Sequence, residues 1–286
     1  MKIQRVILGV AAVAIVGLVV FLVTRPGSQG TEPRSSPSAE DPSPSAVTET
    51  PSPSEVTGAS PRIKLQHLTA GVFSKEGIAD VQSTSPVTVP ADSLVLVHLM
   101  SCCDHASAPR VAGAGLTFDL IVTHETGEKR HWVFGAANEG GSSTGPLTFA
   151  FDSTQARILW VVDAARNVEL GSNGADAVVQ TAWQNSMQNA DNGGISLQPL
   201  EDPVRNAVVG FALAGSGTAT DIAPQGGMIE TGEAEVQGSS LIIDTFWKVG
   251  DETSVAATFL DDAGQPTVES WLFLAIELRA RGSGDS

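Results

Sequence analysis

The sequence predicts an all-β antiparallel sandwich or barrel that follows a membrane-spanning helix and a disordered stalk. Three observations predict this architecture: an unbroken apolar run of 18 residues near the N-terminus, a stretch of 37 residues with eight prolines, and then short apolar runs separated by Gly, Asn, Asp and Pro. The chain therefore divides into an anchor, a spacer and a folded part.

The anchor is the run VILGVAAVAIVGLVVFLV, residues 6–23. As a helix it spans roughly 27 Å, close to the hydrocarbon thickness of a bilayer. A cleaved signal peptide, which would give a secreted protein, is the alternative. Its apolar region runs to only about 7–15 residues and ends at a small-residue site, which Val23, Thr24 and Arg25 do not supply. We therefore expect an uncleaved signal anchor over residues 6–24, with the lipid bilayer as its partner.

The orientation of the anchor follows from the charges beside it. Lys2 and Arg5 precede the apolar run, and positively charged flanks stay in the cytoplasm. We expect residues 1–5 to be cytoplasmic and everything after the anchor to be extracytoplasmic, in a single-pass protein of the cell membrane.

Residues 25–62 form the predicted spacer. Pro, Ser, Thr and Glu dominate this segment and it holds almost no apolar side chains, so it cannot bury enough surface to offset its chain entropy. We expect a disordered linker. In the polyproline limit of about 3.1 Å per residue, it holds the folded part up to roughly 110 Å from the membrane.

Residues 63–281 form the predicted β domain, and residues 282–286 a flexible tail. The apolar runs are short and many are enriched in Val, Ile, Phe and Trp, as strands require. Their spacing, with scarcely a helix among them, indicates an antiparallel sandwich or barrel. The candidate strands are 63–73, 86–89, 93–100, 116–124, 129–136, 146–151, 157–165, 205–214, 239–248, 253–260 and 270–279.

One segment, residues 175–190, supports two interpretations. Its apolar positions fall at helical spacing, and Asn192, Gly193 and Gly194 would end a helix. A short strand at 177–181 followed by a polar loop explains the Gln, Asn and Ser content equally well. The sequence leaves both open.

The strand pattern also resembles a known group of domains. The segments SLVLVHLM, GAGLTFDLIV, HWVFGAA, ARILWVVDAA, NAVVGFALAG, SSLIIDTFWKVGDETSVAATF and SWLFLAIELR are similar to a jelly-roll-like β-sandwich that recurs in exported bacterial and phage virion proteins. The resemblance covers nearly all of residues 63–281. It implies a jelly-roll-like β-sandwich at a surface location, and it implies no particular chemistry.

The charge of the chain excludes one class of partner. Residues 1–62 carry five basic and five acidic side chains, so the whole formal charge of -16 falls on residues 63–286. Such a surface repels phosphate backbones, and we therefore expect no nucleic acid partner.

The sequence contains no catalytic signature. The nucleophile elbow, the zinc-protease helix, the phosphate-binding loop and the dinucleotide fingerprint are all absent from it. We therefore expect a protein that is not an enzyme and that needs no cofactor.

Three of the histidines lie on or beside predicted strands. His98 interrupts a strongly apolar strand, which is typical of a hydrogen-bonded core residue. His124 and His131 flank a predicted hairpin at Thr126 and Gly127, in which Glu125 would pair with residue 128 and His124 would face Lys129. Because a lysine beside the imidazoles opposes a cation, we do not favour a metal there.

Tryptophans supply the candidate ligand contact. Trp132, Trp160, Trp247 and Trp271 lie on predicted strands, where tryptophan usually fills the core. Trp183 instead lies among amide side chains, a setting that would suit sugar stacking if the ring is exposed. The neighbouring amides are Gln180, Gln184, Asn185 and Gln188.

The two cysteines, Cys102 and Cys103, are adjacent. Four interpretations remain: a strained disulfide between them, an unreactive pair with one side chain inside and one outside, a zinc site with Asp104 and His105, and a disulfide to a second chain. Extracytoplasmic thiols tend to be oxidised, but the close spacing of adjacent residues strains a bond between them, so the internal disulfide and the unreactive pair are favoured equally. Zinc motifs space their cysteines by two to four residues, so zinc is not favoured.

These observations predict an extracytoplasmic binding or adhesion module, with a glycan, cell-wall or surface-protein ligand. The alternative is a structural envelope protein that binds a protein partner through an exposed strand edge. An enzyme with a site assembled from loops is the third hypothesis.

Overall fold

The computed structural model describes residues 62–74, 81–102, 107–127, 129–171, 173–215, 217–236, 239 and 241–282. All of them belong to one compact unit, Thr57–Ser286. The expected cytoplasmic segment 1–5, the anchor 6–24 and the linker as far as residue 61 lie outside the described residues, as does the end of the tail from residue 283. Among the described residues, no helix has the length and apolar character needed to cross a membrane.

The described part of the chain is all-β, as expected, and every strand pairing is antiparallel. It divides into two successive halves, each with its own sheets. The strands of the first half are β1 (Lys64–Ser74), β2 (Val81–Ser83), β3 (Val87–Val89), β4 (Ser93–Cys102), β5 (Arg110–Gly113), β6 (Leu116–Thr117), β7 (Asp119–Thr126), β8 (Lys129–Asn138), β9 (Ser143–Gly145), β10 (Leu147–Ala150) and β11 (Arg157–Arg166).

The second half is built from eight described strands. They are β12 (Val178–Ala190), β13 (Asn192–Ser196), β14 (Ala207–Ala214), β15 (Asp221–Pro224), β16 (Ile229–Glu235), β17 (Ile242–Val249), β18 (Ser254–Leu260) and β19 (Glu269–Leu278).

The two halves repeat one strand order. In the first half, inner sheet 1 has the order β1-β11-β4-β8-β7 and outer sheet 1 the order β2-β10-β5-β6, with β3 and β9 as a separate pair. In the second half, inner sheet 2 has the order β12-β19-β14-β17-β16 and outer sheet 2 the order β13-β18-β15. In both inner sheets the first strand of the half lies at one edge, beside the last strand of the same half.

Strand alternation builds three hydrophobic cores between four layers. In β4, Leu96 faces the core shared by the two inner sheets and Val97 faces outer sheet 1. In β14, Phe211 enters the shared core while Ala212 faces outer sheet 2. Because both faces of each inner sheet are covered, β4, β14 and β19 are buried along their whole length.

The ambiguous segment is a strand. β12 pairs with β19 over most of its length, with register shifts near both ends, so it is neither a helix nor a short strand followed by a loop. Its helical spacing of apolar residues is overridden because pairing with a buried strand satisfies its backbone and covers one edge of inner sheet 2.

The expected register of the β7–β8 hairpin is wrong by one residue on each strand. Thr126 pairs with Lys129, Glu125 pairs with Arg130, and His124 pairs with His131. The turn therefore contains Gly127, whose φ of 59° suits a two-residue hairpin turn. Arg130 also forms a 2.9 Å ion pair with Glu125. The two histidines consequently face each other directly.

Candidate functional site

Trp183 lies on β12, the edge strand of inner sheet 2, and 49% of the residue is exposed. It pairs with Leu274, a residue of the core between the inner sheets. Side chains alternate along a strand, so Trp183 projects on that side of the sheet, toward the edge strand β7 of inner sheet 1. The indole therefore sits at the seam where the two halves meet solvent.

His124 on β7 holds the indole in place. The two ring centroids are 3.6 Å apart and the rings are tilted by 30°. Asn185, two residues beyond Trp183, donates a hydrogen bond from Nδ2 to Nε2 of His124 at 3.1 Å. Because Nε2 accepts, the neutral ring carries its proton on Nδ1. Trp183 and Asn185 thus fix His124 from the same strand face.

Behind His124, a column of rings continues into the core. His131, the register partner of His124, stacks on Phe211 with centroids 3.8 Å apart, and His98 stacks on the same Phe211 at 5.3 Å. We call Trp183, His124, His131, Phe211 and His98 the ring column. It takes residues from both inner sheets, and His124 and His131 are connected as register partners on β7 and β8.

The imidazoles of the ring column are held neutral by burial. Burial lowers the pKa of His98 to about 4, against the raising effect of Asp163. It also lowers the pKa of His131 well below the ordinary value, with His98 and His124 acting in the same direction. The pKa of His124 is lowered too, chiefly by burial, while Glu125 opposes the change. At neutral pH the column is therefore an uncharged aromatic surface.

His98 departs from the expectation of a hydrogen-bonded core histidine. It is fully buried, as expected, but neither ring nitrogen has a hydrogen-bond partner within the described part of the chain. Ring stacking on Phe211 takes the place of a polar partner, and the lost hydrogen bonds carry a cost in stability.

The amide side chains near Trp183 in the sequence differ in their contacts and in the sheet face on which they lie. Gln180 donates to Glu277 at 2.6 Å and receives the backbone N–H of Gln198, so it belongs to the framework. Gln184 pairs with Phe273, a residue of the core between inner sheet 2 and outer sheet 2. It therefore projects on the opposite side of β12 from Trp183. The side chain of Gln188 lies outside the description. Asn185, which bonds to His124, is therefore the amide that belongs to the candidate site.

The cysteine segment is described only in part. Cys102 ends β4 and is buried in the core between the inner sheets. Cys103, Asp104 and His105 lie outside the described residues, so the four interpretations of this segment stay predictions.

The remaining tryptophans occupy the cores, as expected. Trp132, Trp160 and Trp271 are buried, and Trp247 is partly buried against the core between the inner sheets. Trp183 is accordingly the most exposed tryptophan of the described residues.

No group of three His, Cys, Asp or Glu side chains among the described residues is arranged to hold a metal ion. In the ring column, His98 and His131 lie in nearly parallel planes with centroids 6.4 Å apart. Stacked imidazoles direct their nitrogens alongside each other, whereas a metal needs them to converge.

Two open clefts lie away from the ring column. One, of about 350 Å³, is lined by Asp92, Glu139, Glu169 and Arg281 among others, and the other, of about 420 Å³, includes Asp119, Asn138 and Asn173. Neither contains Trp183.

Sequence patterns identified Trp183 but missed its contact with His124 and the role of Phe211. His124 and Phe211 are distant from it along the chain, and no local pattern reports a contact between two edge strands. The comparisons of the chain with protein-family models, with curated proteins and with solved structures found no match.

Proposed function

We propose that this chain is a membrane-anchored extracytoplasmic binding module with a jelly-roll-like β-sandwich architecture, and that it holds a saccharide of a cell envelope or host surface against Trp183. The anchor pattern of residues 6–23 and the Pro/Ser-rich residues 25–62 support the placement of the β domain outside the membrane. A long spacer suits a module that must reach a ligand at a distance.

The observation that carries the proposal is the exposed and braced indole of Trp183. Exposing half of a tryptophan to water forfeits much of the stabilisation that its burial would give. Here the ring nevertheless packs against His124 at a tilt of 30°, which fixes its orientation before any ligand arrives. A preorganised aromatic face beside a few polar groups is what a ligand with one apolar and one polar side requires, and a sugar ring has those two sides.

The charge of the β domain narrows the ligand class. Beyond residue 62 the chain carries 27 acidic and 11 basic side chains. This surface repels polyanions, so neutral glycans or glycans with amino groups are the preferred class. The imidazoles beneath the indole, which burial keeps neutral, add no charge to this face.

The test is a glycan array probed with the full-length chain in detergent. We expect Trp183→Ala to weaken binding at least about tenfold, because truncating a central aromatic contact costs roughly 1.4 kcal/mol or more. Trp183→Phe should retain part of the binding, since it keeps an aromatic face.

The control is Val204→Ala, which removes exposed apolar surface elsewhere, at a residue that is 68% exposed. It should bind like the wild type. The proposal is rejected if no glycan binds the wild type, or if Trp183→Ala binds as tightly as Val204→Ala.

A further inference from the structure

Asp244 is a buried acid in the apolar strand β17, whose residues run IIDTFWKV. Its exposed fraction is 0%, and neither carboxylate oxygen has a hydrogen-bond partner among the described residues. An ionised carboxylate in such a position is very costly unless it is paired. The site therefore favours a neutral, protonated Asp244.

The strands packed on Asp244 present further acids to it. On β16, Glu233 is its register partner, and paired residues on neighbouring antiparallel strands lie on the same sheet face. Glu230 and Glu235 pair with Phe246 and Ile242, which face outer sheet 2, and so they share that face.

The facing sheet adds another acid and no base. Asp221 begins β15, which packs on β17 and acts electrostatically on both Asp244 and Glu233. The sequences of β14 and β18 contain no titratable side chain. Lys248, on the same face further along β17, is held by the carbonyl of Gly226 at 2.7 Å and by Glu252 at 3.2 Å.

Burial and like charge act together on this cluster. Burial raises the pKa of Asp244 to about 10, Glu230 and Glu233 add to the rise, and the backbone N–H of Thr245 opposes it without making a hydrogen bond of normal geometry. Burial, then Asp221, Glu230 and Glu235, raises the pKa of Glu233 to about 7. Both acids therefore keep protons at a pH where ordinary carboxyl groups have lost theirs.

A proton fits this cluster better than a metal ion does. Within the described residues, no three acidic or metal-binding side chains stand where they could hold a metal. A single proton on Asp244, and a second near neutral pH on Glu233, lowers the repulsion within the cluster.

We propose that Asp244 and its register partner Glu233, on the face of inner sheet 2 that outer sheet 2 covers, form a proton-dependent latch that stabilises the fold and weakens as the surrounding medium becomes alkaline. The latch lies at the β16 side of inner sheet 2, whereas Trp183 lies on β12 at the opposite edge. The inference therefore goes beyond ligand binding at Trp183 and does not depend on it.

The direction of the pH effect follows from linkage. The folded chain binds protons that the unfolded chain releases near the ordinary carboxyl pKa, so this contribution to stability is fully present below that pKa and is lost as pH rises toward the folded values. For Asp244 the folding equilibrium constant falls by up to about tenfold per pH unit. Glu233 adds to the fall below about pH 7.

The experiment is urea unfolding of the full-length chain in detergent and EDTA at half-unit steps from pH 5.5 to 9. We compare wild type with Asp244→Asn, Glu233→Gln and the exposed turn variant Asp262→Asn. Relative to Asp262→Asn, Asp244→Asn should lose a pH dependence on the order of tenfold per pH unit. Glu233→Gln should differ from the control chiefly below pH 7.5, and it tests the latch independently if Asp244→Asn does not fold.

Two results would overturn the latch. One is that Asp244→Asn, or in its place Glu233→Gln, keeps the pH dependence of Asp262→Asn. The other appears when 1 mM Ca²⁺ replaces EDTA: stabilisation of the wild type at pH 9, absent from Asp244→Asn, would identify a divalent cation as the occupant instead of a proton.

Discussion

At the scale of single residues, the chain places ionisable groups where water cannot reach them and keeps them neutral. His98 and His131 are buried in the core between the inner sheets, and Asp244 is buried between inner and outer sheet 2. For each of these buried groups, the neutral form has a lower free energy than the charged form. The two classes respond to pH in opposite directions, since the histidines resist gaining a proton and the acid resists losing one.

His98 gives a prediction on the acidic side. The folded chain keeps His98 neutral down to about pH 4, whereas the unfolded chain protonates it near pH 6.5. Stability is therefore lost as pH falls through this window, by up to about 1.4 kcal/mol per pH unit for this residue. His98→Leu should lose less stability than the wild type between pH 6.5 and 4.5 in urea unfolding. An identical loss in both proteins would show that His98 does not contribute.

At the scale of elements, most of the longer strands could be predicted and most of the shorter ones could not. All of the apolar runs identified in the sequence overlap strands, because β4, β8, β11 and β14 are buried on both faces and so carry a strong compositional signal. Strands such as β2, of three residues, are too short to show periodicity. β12 was ambiguous because its identity as a strand depends on pairing with β19, which lies far along the chain.

The candidate site was likewise predicted only in part from the sequence. Its exposed aromatic residue, Trp183, was evident from the polar residues around it. The bracing contact with His124 could not be predicted, because it depends on the stacking of two inner sheets and on a hairpin register that was one residue in error. Asp244 carried a signal that pattern analysis did not use, namely a lone acid within the apolar run LIIDTFW.

The connection between the halves gives a prediction for an element. A Cβ placed on Gly174, which precedes β12, would lie 2.4 Å from the backbone nitrogen of Ala136 and from the carbonyl carbon of Gly135 on β8. Backbone cannot yield as a flexible side chain can, so we expect Gly174→Ala to destabilise the fold by about 1–3 kcal/mol. Gly141→Ala is the matched control, because a Cβ there meets nothing within 4 Å. Equal unfolding midpoints for the two variants would refute this close packing.

At the scale of the whole molecule, the described residues form four β layers made by two halves with the same strand order. The shared core between the inner sheets joins the halves, and its seams bring edge strands together, with β7 beside β12 and β1 beside β16. The first seam carries the ring column. The second holds His67 over Gly232 and against Asp163 at 3.1 Å, and both seams join one strand from each half.

This arrangement relates architecture to the proposed function. A ligand that contacts Trp183 rests on the edge strand of one half while His124 supports it from the other half. Binding there would involve residues of both halves. The acidic β domain, held on its predicted stalk, would then select uncharged or amino-bearing glycans.

The most direct measurement is tryptophan fluorescence of the full-length chain, titrated with the glycan that binds best on the array. Trp183 is exposed while Trp132, Trp160 and Trp271 are buried, so covering Trp183 with a ligand should shift the emission to shorter wavelength and saturate with the binding curve. Trp183→Phe should abolish that shift while keeping weaker binding. A saturable shift of the same size in Trp183→Phe would place the ligand elsewhere and contradict the account.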